Sequence, residues 1–314
     1  MKSRSPSTRS IGLLGSLAVL LLPGCASLGG ARSLDYQRQQ MEAQRAMAET
    51  EVEGGRATPM ASLEDRLAQG DRFAAAGDRA RALWQYLEAH NLDPSHPEPV
   101  IRLGFFYLVD DPEQAAALFA RGIETTPENA RAHAGLGLVR LSQRRLGEAR
   151  TSFERAVALE PDFPMAHDAL GVIYGLQNEH EEGLQRAQEA HRLDPKDGRI
   201  VNNLGVSLLA EARWTDAEQA FRTAILLDPS DLAYYNNLGL ALGRQQRFEE
   251  ALGAFRRNDD AQAVHNNLGY VYFLNGDVQK AIQHYEQALT FDGSARIQVL
   301  RNLRAATEVA AAGH

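Results

Sequence analysis

Asn202-Asn203-Leu204-Gly205-Val206-Ser207-Leu208-Leu209, followed after a short polar break by Asp216-Ala217-Glu218-Gln219-Ala220-Phe221-Arg222-Thr223-Ala224-Ile225, is the stretch that decides the fold. Leu204 and Leu208, then Ala217, Phe221, Ala224 and Ile225, fall at helical spacing, so each half carries one apolar helix face. Gly205 and Ala217 are small enough to let the two helices approach closely, and Phe221 fills the space beside them. The unit closes at Asp228-Pro229, where proline stops one helix and opens the turn before the next.

The same pattern recurs on either side. Gly70, Gly104, Gly137, Gly171, Gly205, Gly239 and Gly269 are separated by 34, 33, 34, 34, 34 and 30 residues. Eleven or twelve residues after each comes a small residue: Ala82, Ala115, Ala149, Gly183, Ala217, Ala251 and Ala281. In most copies an aromatic follows four further on: Tyr86, Phe119, Phe153, Phe221, Phe255 and Tyr285. Units also end at Pro94, Pro127, Pro161 and Pro195. A fixed period of this length marks a solenoid, whose units bury their apolar faces on one another. Such a chain presents a surface rather than enclosing a pocket, which directs the functional reading to binding rather than catalysis.

The pattern resembles the tetratricopeptide repeat, a helix-turn-helix of about 34 residues with Leu-Gly, Tyr, Ala, Phe, Ala and Pro at set positions. Leu170-Gly171, Tyr174, Ala190 and Pro195 match it in the fourth copy, and Leu268-Gly269, Tyr272, Ala281, Tyr285 and Ala288 in the seventh. The resemblance implies an all-α superhelical solenoid of about seven repeats over residues 63–294, followed by a capping helix and tail over 295–314. Ile297, Leu300, Leu303 and Val309 are expected to cover the open end of the stack. Two copies depart from the pattern. The second lacks one residue in its turn, Val109-Asp110-Asp111-Pro112, and the sixth is four residues short, which predicts a truncated second helix.

The first 24 residues read as a separate message. Lys2, Arg4 and Arg9 precede the apolar run Ile11–Leu22, and Leu22-Pro23-Gly24-Cys25 follows. A positive start, a short apolar core and a small residue before the cut make a secretory signal. The run is shorter than the ~20 apolar residues of a membrane span. Its end is similar to the bacterial lipobox, and that resemblance makes Cys25, the sole cysteine, the lipidated first residue of the mature chain. Ala26 in the next position implies, by the same resemblance, sorting to the inner leaflet of the outer membrane, facing the periplasm. Residues 25–62, rich in Gln, Arg, Glu and Ala and broken by Gly54-Gly55 and Pro59, read as a tether, part helical or part disordered.

Removal of the leader leaves 30 basic against 41 acidic residues, a net charge of −11, which argues against a nucleic-acid partner. The cluster Arg140, Arg144, Arg145, Arg150 and Arg155 reads first as a solvated face. The nine histidines make no His-Glu-x-x-His arrangement, and one cysteine builds no thiolate zinc site. No phosphate loop and no Gly-x-Ser-x-Gly elbow is present. The expectation is a protein with no catalytic residues, metal or cofactor.

In tetratricopeptide-repeat proteins the first helix of each unit lines a concave groove. By that resemblance the candidate partner-binding residues are Asn202, Asn236 and Asn266, with an apolar strip of Phe105, Leu138, Val206, Leu209, Leu240, Tyr270 and Phe273. Amides offer both donor and acceptor to the backbone of a peptide, and the strip takes its side chains, whether strand or helix. The adjacent Asn203, Asn237 and Asn267 match the repeat consensus and suit a bridge between units. The Asn-Asn-Leu-Gly units look like those of tetratricopeptide lipoproteins of tight-adherence (Flp) pilus assembly. That resemblance implies an envelope scaffold whose partners are secretin or pilus components. The alternatives are a type IV pilus lipoprotein that pilots a secretin, a regulator of a cell-wall or polysaccharide enzyme, and a cytoplasmic adaptor.

Overall fold

The structure, a computed structural model, describes residues 62–291, 293 and 295–312. The leader, Cys25 and the tether up to residue 61 therefore lie outside the described residues. The described residues form fifteen helices and no strand. They divide into two compact bodies, one ending at Ala169 and one beginning at Leu170.

The first body contains α1 (Leu63–Ala75), α2 (Arg79–Leu92), α3 (Pro97–Tyr107), α4 (Pro112–Thr125), α5 (Ala130–Ser142) and α6 (Leu146–Leu159). The pairs α1/α2, α3/α4 and α5/α6 are the expected repeat units, and each pair packs on the next. Ser62 opens α1 with a reciprocal cap: its Oγ accepts from the Asp65 amide at 3.1 Å, and Asp65 Oδ2 accepts from the Ser62 amide at 3.0 Å. Pro97 and Pro112 occupy first turns, where their missing N–H costs nothing. The shortened turn of the second repeat is absorbed by starting α4 directly at Pro112.

The helix α7 (Pro164–Leu176) spans the division. The second body continues with α8 (His180–Leu193), α9 (Gly198–Ala210), α10 (Trp214–Leu227), α11 (Leu232–Arg244), α12 (Phe248–Phe255), α13 (Ala261–Leu274), α14 (Val278–Leu289) and α15 (Arg296–Ala312). The truncation expected in the sixth repeat is present, for α12 has 8 residues where α10 has 14.

The repeating glycine has a steric reason. A Cβ on Gly205 would sit 2.5 Å from the ring of Phe221, which is fully buried, and Gly239 stands in the same relation to Phe255. In the fourth repeat no ring intervenes: a Cβ on Gly171 would lie 3.2 Å from backbone atoms of Gly183 and Ala187, so the two helices run backbone to backbone. The turn inside every unit but the shortened second holds one left-handed residue. That residue is Gly77 or Gly276 in the first and last repeats, but Arg144, Asn178, Ala212 and Gln246 elsewhere, with φ between 57° and 64°.

The C-terminal helix exists, but its buried face differs from the one expected. Val299 and Ala306 are fully buried and Leu303 packs beside them, whereas Ile297, Leu300 and Val309 are exposed. Residues 299, 303 and 306 share a helical face, and a small alanine, not the larger Val309, completes it. Gln262 of α13, with no exposed surface, fixes the approach of α15. Its Nε2 donates to the Phe291 carbonyl at 3.0 Å and its Oε1 accepts from the Ala295 amide at 3.0 Å. A Cβ on Gly293 would lie 2.4 Å from that Oε1, which explains Gly where earlier repeats have Pro.

Candidate functional site

The first helices of the last repeats, α9, α11 and α13, lie side by side, and α15 follows them. Their asparagines form a ladder. Asn237 Nδ2 donates to Asn202 Oδ1 at 2.8 Å, Asn267 Nδ2 to Asn236 Oδ1 at 3.4 Å, and Asn302 Nδ2 to Asn266 Oδ1 at 2.9 Å. Each rung joins one unit to the next. The capping helix supplies the last donor from Asn302, itself held by Gln298 at 2.9 Å.

This changes the expectation for the three amides. Asn202 is 4% exposed and its Nδ2 turns to Asn203, so it is committed inside the protein and not offered to a partner. Asn236 and Asn266 are half-buried, with their carbonyl oxygens already accepting from the next unit. The physical reason is spacing: neighbouring first helices lie close enough for two short amides to meet, and a buried amide finds its partner where it is nearest. The bridge read for Asn237 and Asn267 is present, and it uses Asn202 and Asn236 as acceptors. Asn302 was not foreseen, because it stands outside the repeat pattern.

The apolar strip is placed differently. Val206, Leu209 and Leu240 are half-buried and rest on the core formed by Val201, Leu208, Leu238 and Leu242. Tyr270 and Phe273, also half-buried, rest on the cluster of Ala281, Tyr285, Ala288 and Val299. Burial raises the Tyr270 hydroxyl above its usual range, with Arg244 opposing, so the phenol stays neutral at physiological pH. Arg244 donates to the Leu274 carbonyl, and its guanidinium lies 4.5 Å from the Trp214 ring, which fixes the edge of the strip.

In the first body Phe105 and Leu138 are half-buried. Phe105 packs edge-on against Phe119 at 5.0 Å and lines a cleft of about 260 Å³ with Asp71, Arg102, Phe106 and Arg131. The arginines were missed in the sequence because they sit at unrelated repeat positions. They are balanced: Arg102 pairs with Asp71 at 2.9 Å and with Glu98 at 2.5 Å, and Arg131 approaches Glu98 at 3.6 Å. Of the basic cluster in the third unit, Arg140 and Arg145 both pair with Glu148 and Arg150 pairs with Glu154, as a solvated face does. Among the described residues no group of three or more His, Cys, Asp or Glu is placed to hold a metal ion.

Family models described as tetratricopeptide repeat match residues 109–164, 139–198, 202–257 and 263–294, which together cover more than half of the chain. The chain belongs to the tetratricopeptide-repeat family, whose members are protein-binding scaffolds and generally not enzymes. No curated protein sequence matches it. Among solved structures it is similar to the APC/C hetero-tetramer Cut9-Hcn1, at 18% identity and TM-score 0.59 over 78% of this chain and 53% of that one. It thus spans about half the length of that relative. It is also similar to Pseudomonas aeruginosa pilF, at 21% identity and TM-score 0.52 over 67% of this chain and 97% of that one. A tetratricopeptide repeat protein from Parabacteroides merdae matches at 13% identity and TM-score 0.51, over 78% and 98% of the two chains. At these identities the likeness is one of fold.

Proposed function

We propose that the protein is a lipid-anchored envelope adaptor that binds protein partners along the first helices of its repeats and serves the assembly of a pilus or secretion apparatus. The observation that carries the reading is the strip of Val206, Leu209, Leu240, Tyr270 and Phe273, half-buried on three adjacent helices and backed by two core clusters. A strip supported from beneath keeps its shape before a partner arrives, which lowers the ordering cost of binding. Its mixture of branched and aromatic side chains suits an extended segment or one face of an amphipathic helix.

The anchor rests on Leu22-Pro23-Gly24-Cys25. Two or more acyl chains at Cys25 hold a protein stably to a membrane. Ala26 in the following position favours the inner leaflet of the outer membrane, facing the periplasm. The tight-adherence pilus is favoured by the Asn-Asn-Leu-Gly units and the lipobox taken together.

The test is growth with an alkyne fatty acid, membrane fractionation and recovery of bound partners. The reading expects labelled protein in the outer membrane, loss of label in Cys25→Ser, and a secretin or pilin recovered with the wild type but lost in Leu240→Glu. Absence of label sinks the anchor. Glycan synthases as the recovered partners favour the cell-wall alternative, and an unchanged partner set in Leu240→Glu sinks the strip.

A further inference from the structure

Near the C-terminal end of the second body five rings form one row. Phe248 of α12 stacks on Tyr272 of α13 at 4.4 Å, and Tyr272 lies parallel to His284 of α14 at 5.3 Å. His284 is followed by His265 of α13 at 5.5 Å, and His265 by Phe291, in the turn before α15, at 5.7 Å. At the centre the Nδ1 atoms of His265 and His284 are 3.3 Å apart. The ring centroids are separated by about that distance plus the two ring radii, so the nitrogens face each other edge to edge. Two bare lone pairs repel at this distance, and so do two N–H groups. The contact is satisfied when one proton lies between, with one ring donating and the other accepting. Among the described residues no third His, Cys, Asp or Glu joins the two imidazoles to hold a metal ion, so the contact is read as a shared proton.

The surroundings oppose a second proton. Both imidazoles are half-buried. Arg256, just beyond α12, acts on His265, and Lys280 of α14 acts on His284. Asp277, the nearby carboxylate, is tied to Lys280 at 3.0 Å. Tyr272 of α13 and Phe291 present ring faces, and Lys280 also lies 5.1 Å from the Tyr272 ring.

We propose that His265 and His284 form a pH-responsive lock on the last repeat, closed around one shared proton at neutral pH and opened when acid places a proton on each ring. The second proton sets two like charges head-on, between apolar rings and two cations, so the pair separates and strains the contacts of α13 with α14 and with Phe291. Burial first, then Arg256 for His265, and the partner ring and Lys280 for His284, hold both imidazoles below their ordinary 6.5. The unfolded segment therefore takes up protons that the folded one resists, and stability of this repeat falls as the pH drops below 6.5.

The test is hydrogen exchange on the full chain at pH 7.5 and 5.5, read as protection factors. Helices α9 and α10, which carry no histidine, serve as the reference. Protection in α13 and α14 is expected to fall relative to that reference, by up to roughly tenfold for each imidazole the folded repeat keeps neutral, the most one titrating group yields over one pH unit. The double variant His265→Phe/His284→Phe keeps the ring row without titrating, and its protection is expected to stay level. An equal fall in that variant, or no relative fall in the wild type, overturns the lock. Should the variant fail to fold, imidazole nitrogen NMR of the wild type decides. Two separated steps for a coupled pair support the lock, and two independent titrations near 6.5 overturn it.

Discussion

Asn237 donates its side-chain amide to Oδ1 of Asn202 across 2.8 Å, joining two residues 35 positions apart at the junction of the fifth and sixth repeats. Both are buried, at 3% and 4% exposure. The bond separates what looked like one functional set: Asn202 belongs to the stacking of the units, while Val206 and Leu240 on the same helices keep part of their surface open.

Asn202→Ala is expected to destabilise the protein by about 1–3 kcal/mol, because the Asn237 amide is left buried without an acceptor. The double variant Asn202→Ala/Asn237→Ala should cost less than the sum of the two singles. Urea unfolding of the set measures this, and strict additivity would show that the rung contributes nothing.

Gly205→Ala sets two effects against each other. Alanine improves helix propensity by about 1 kcal/mol, but its Cβ would lie 2.5 Å from the buried Phe221 ring, and overpacking costs about 1–3 kcal/mol. The clash should win, giving a less stable protein. Adding Phe221→Leu should recover part of the loss by removing the ring, read as a smaller shift in the unfolding midpoint.

Ala212 holds φ 57° in the turn between α9 and α10. An alanine in that region carries about 1 kcal/mol of strain that glycine does not. Ala212→Gly is therefore expected to raise the unfolding midpoint slightly. A clear fall would show that the cost of glycine to the unfolded chain outweighs the relief.

Glu218 gives the sixth repeat an acid-sensitive joint. Burial alone would raise its carboxyl, but hydrogen bonds from Gln245, Arg222 and Arg247 hold it below the ordinary 4.5. Arg247 Nη1 lies 2.6 Å from Oε2, tying α10 to the start of α12. A depressed carboxyl contributes its stability in full above 4.5 and loses it as pH falls. The stability difference between wild type and Glu218→Gln should accordingly shrink from pH 7 to pH 3.5 in denaturant titrations.

The helix pairs were legible because Gly, Ala and an aromatic must recur wherever two helices touch through a ring, as Gly205 and Phe221 do. The short α12 was legible from a count of residues alone. The buried face of α15 was not, since Ala306 is fully buried while the larger Ile297 is exposed, and hydrophobicity by size points to the wrong side. The fate of Asn202 was hidden for a related reason. A position within a repeat specifies the helix face, and only the distance to the next unit shows whether a neighbouring amide has already used it. Apart from Tyr272, the ring row through His265 and His284 lies outside the repeat pattern, and it comes from four separate segments, so no local spacing announces it.

The account turns on the strip over α9, α11 and α13 being the surface that meets a partner. The direct measurement is photocrosslinking in living cells from a benzoylphenylalanine at Leu240, half-buried on α11, against the same residue at Gln219, exposed on α10. The account predicts a discrete envelope protein, a secretin or pilin, captured from Leu240 and absent from Gln219. Equal capture from both positions, or capture from Gln219 alone, would contradict it.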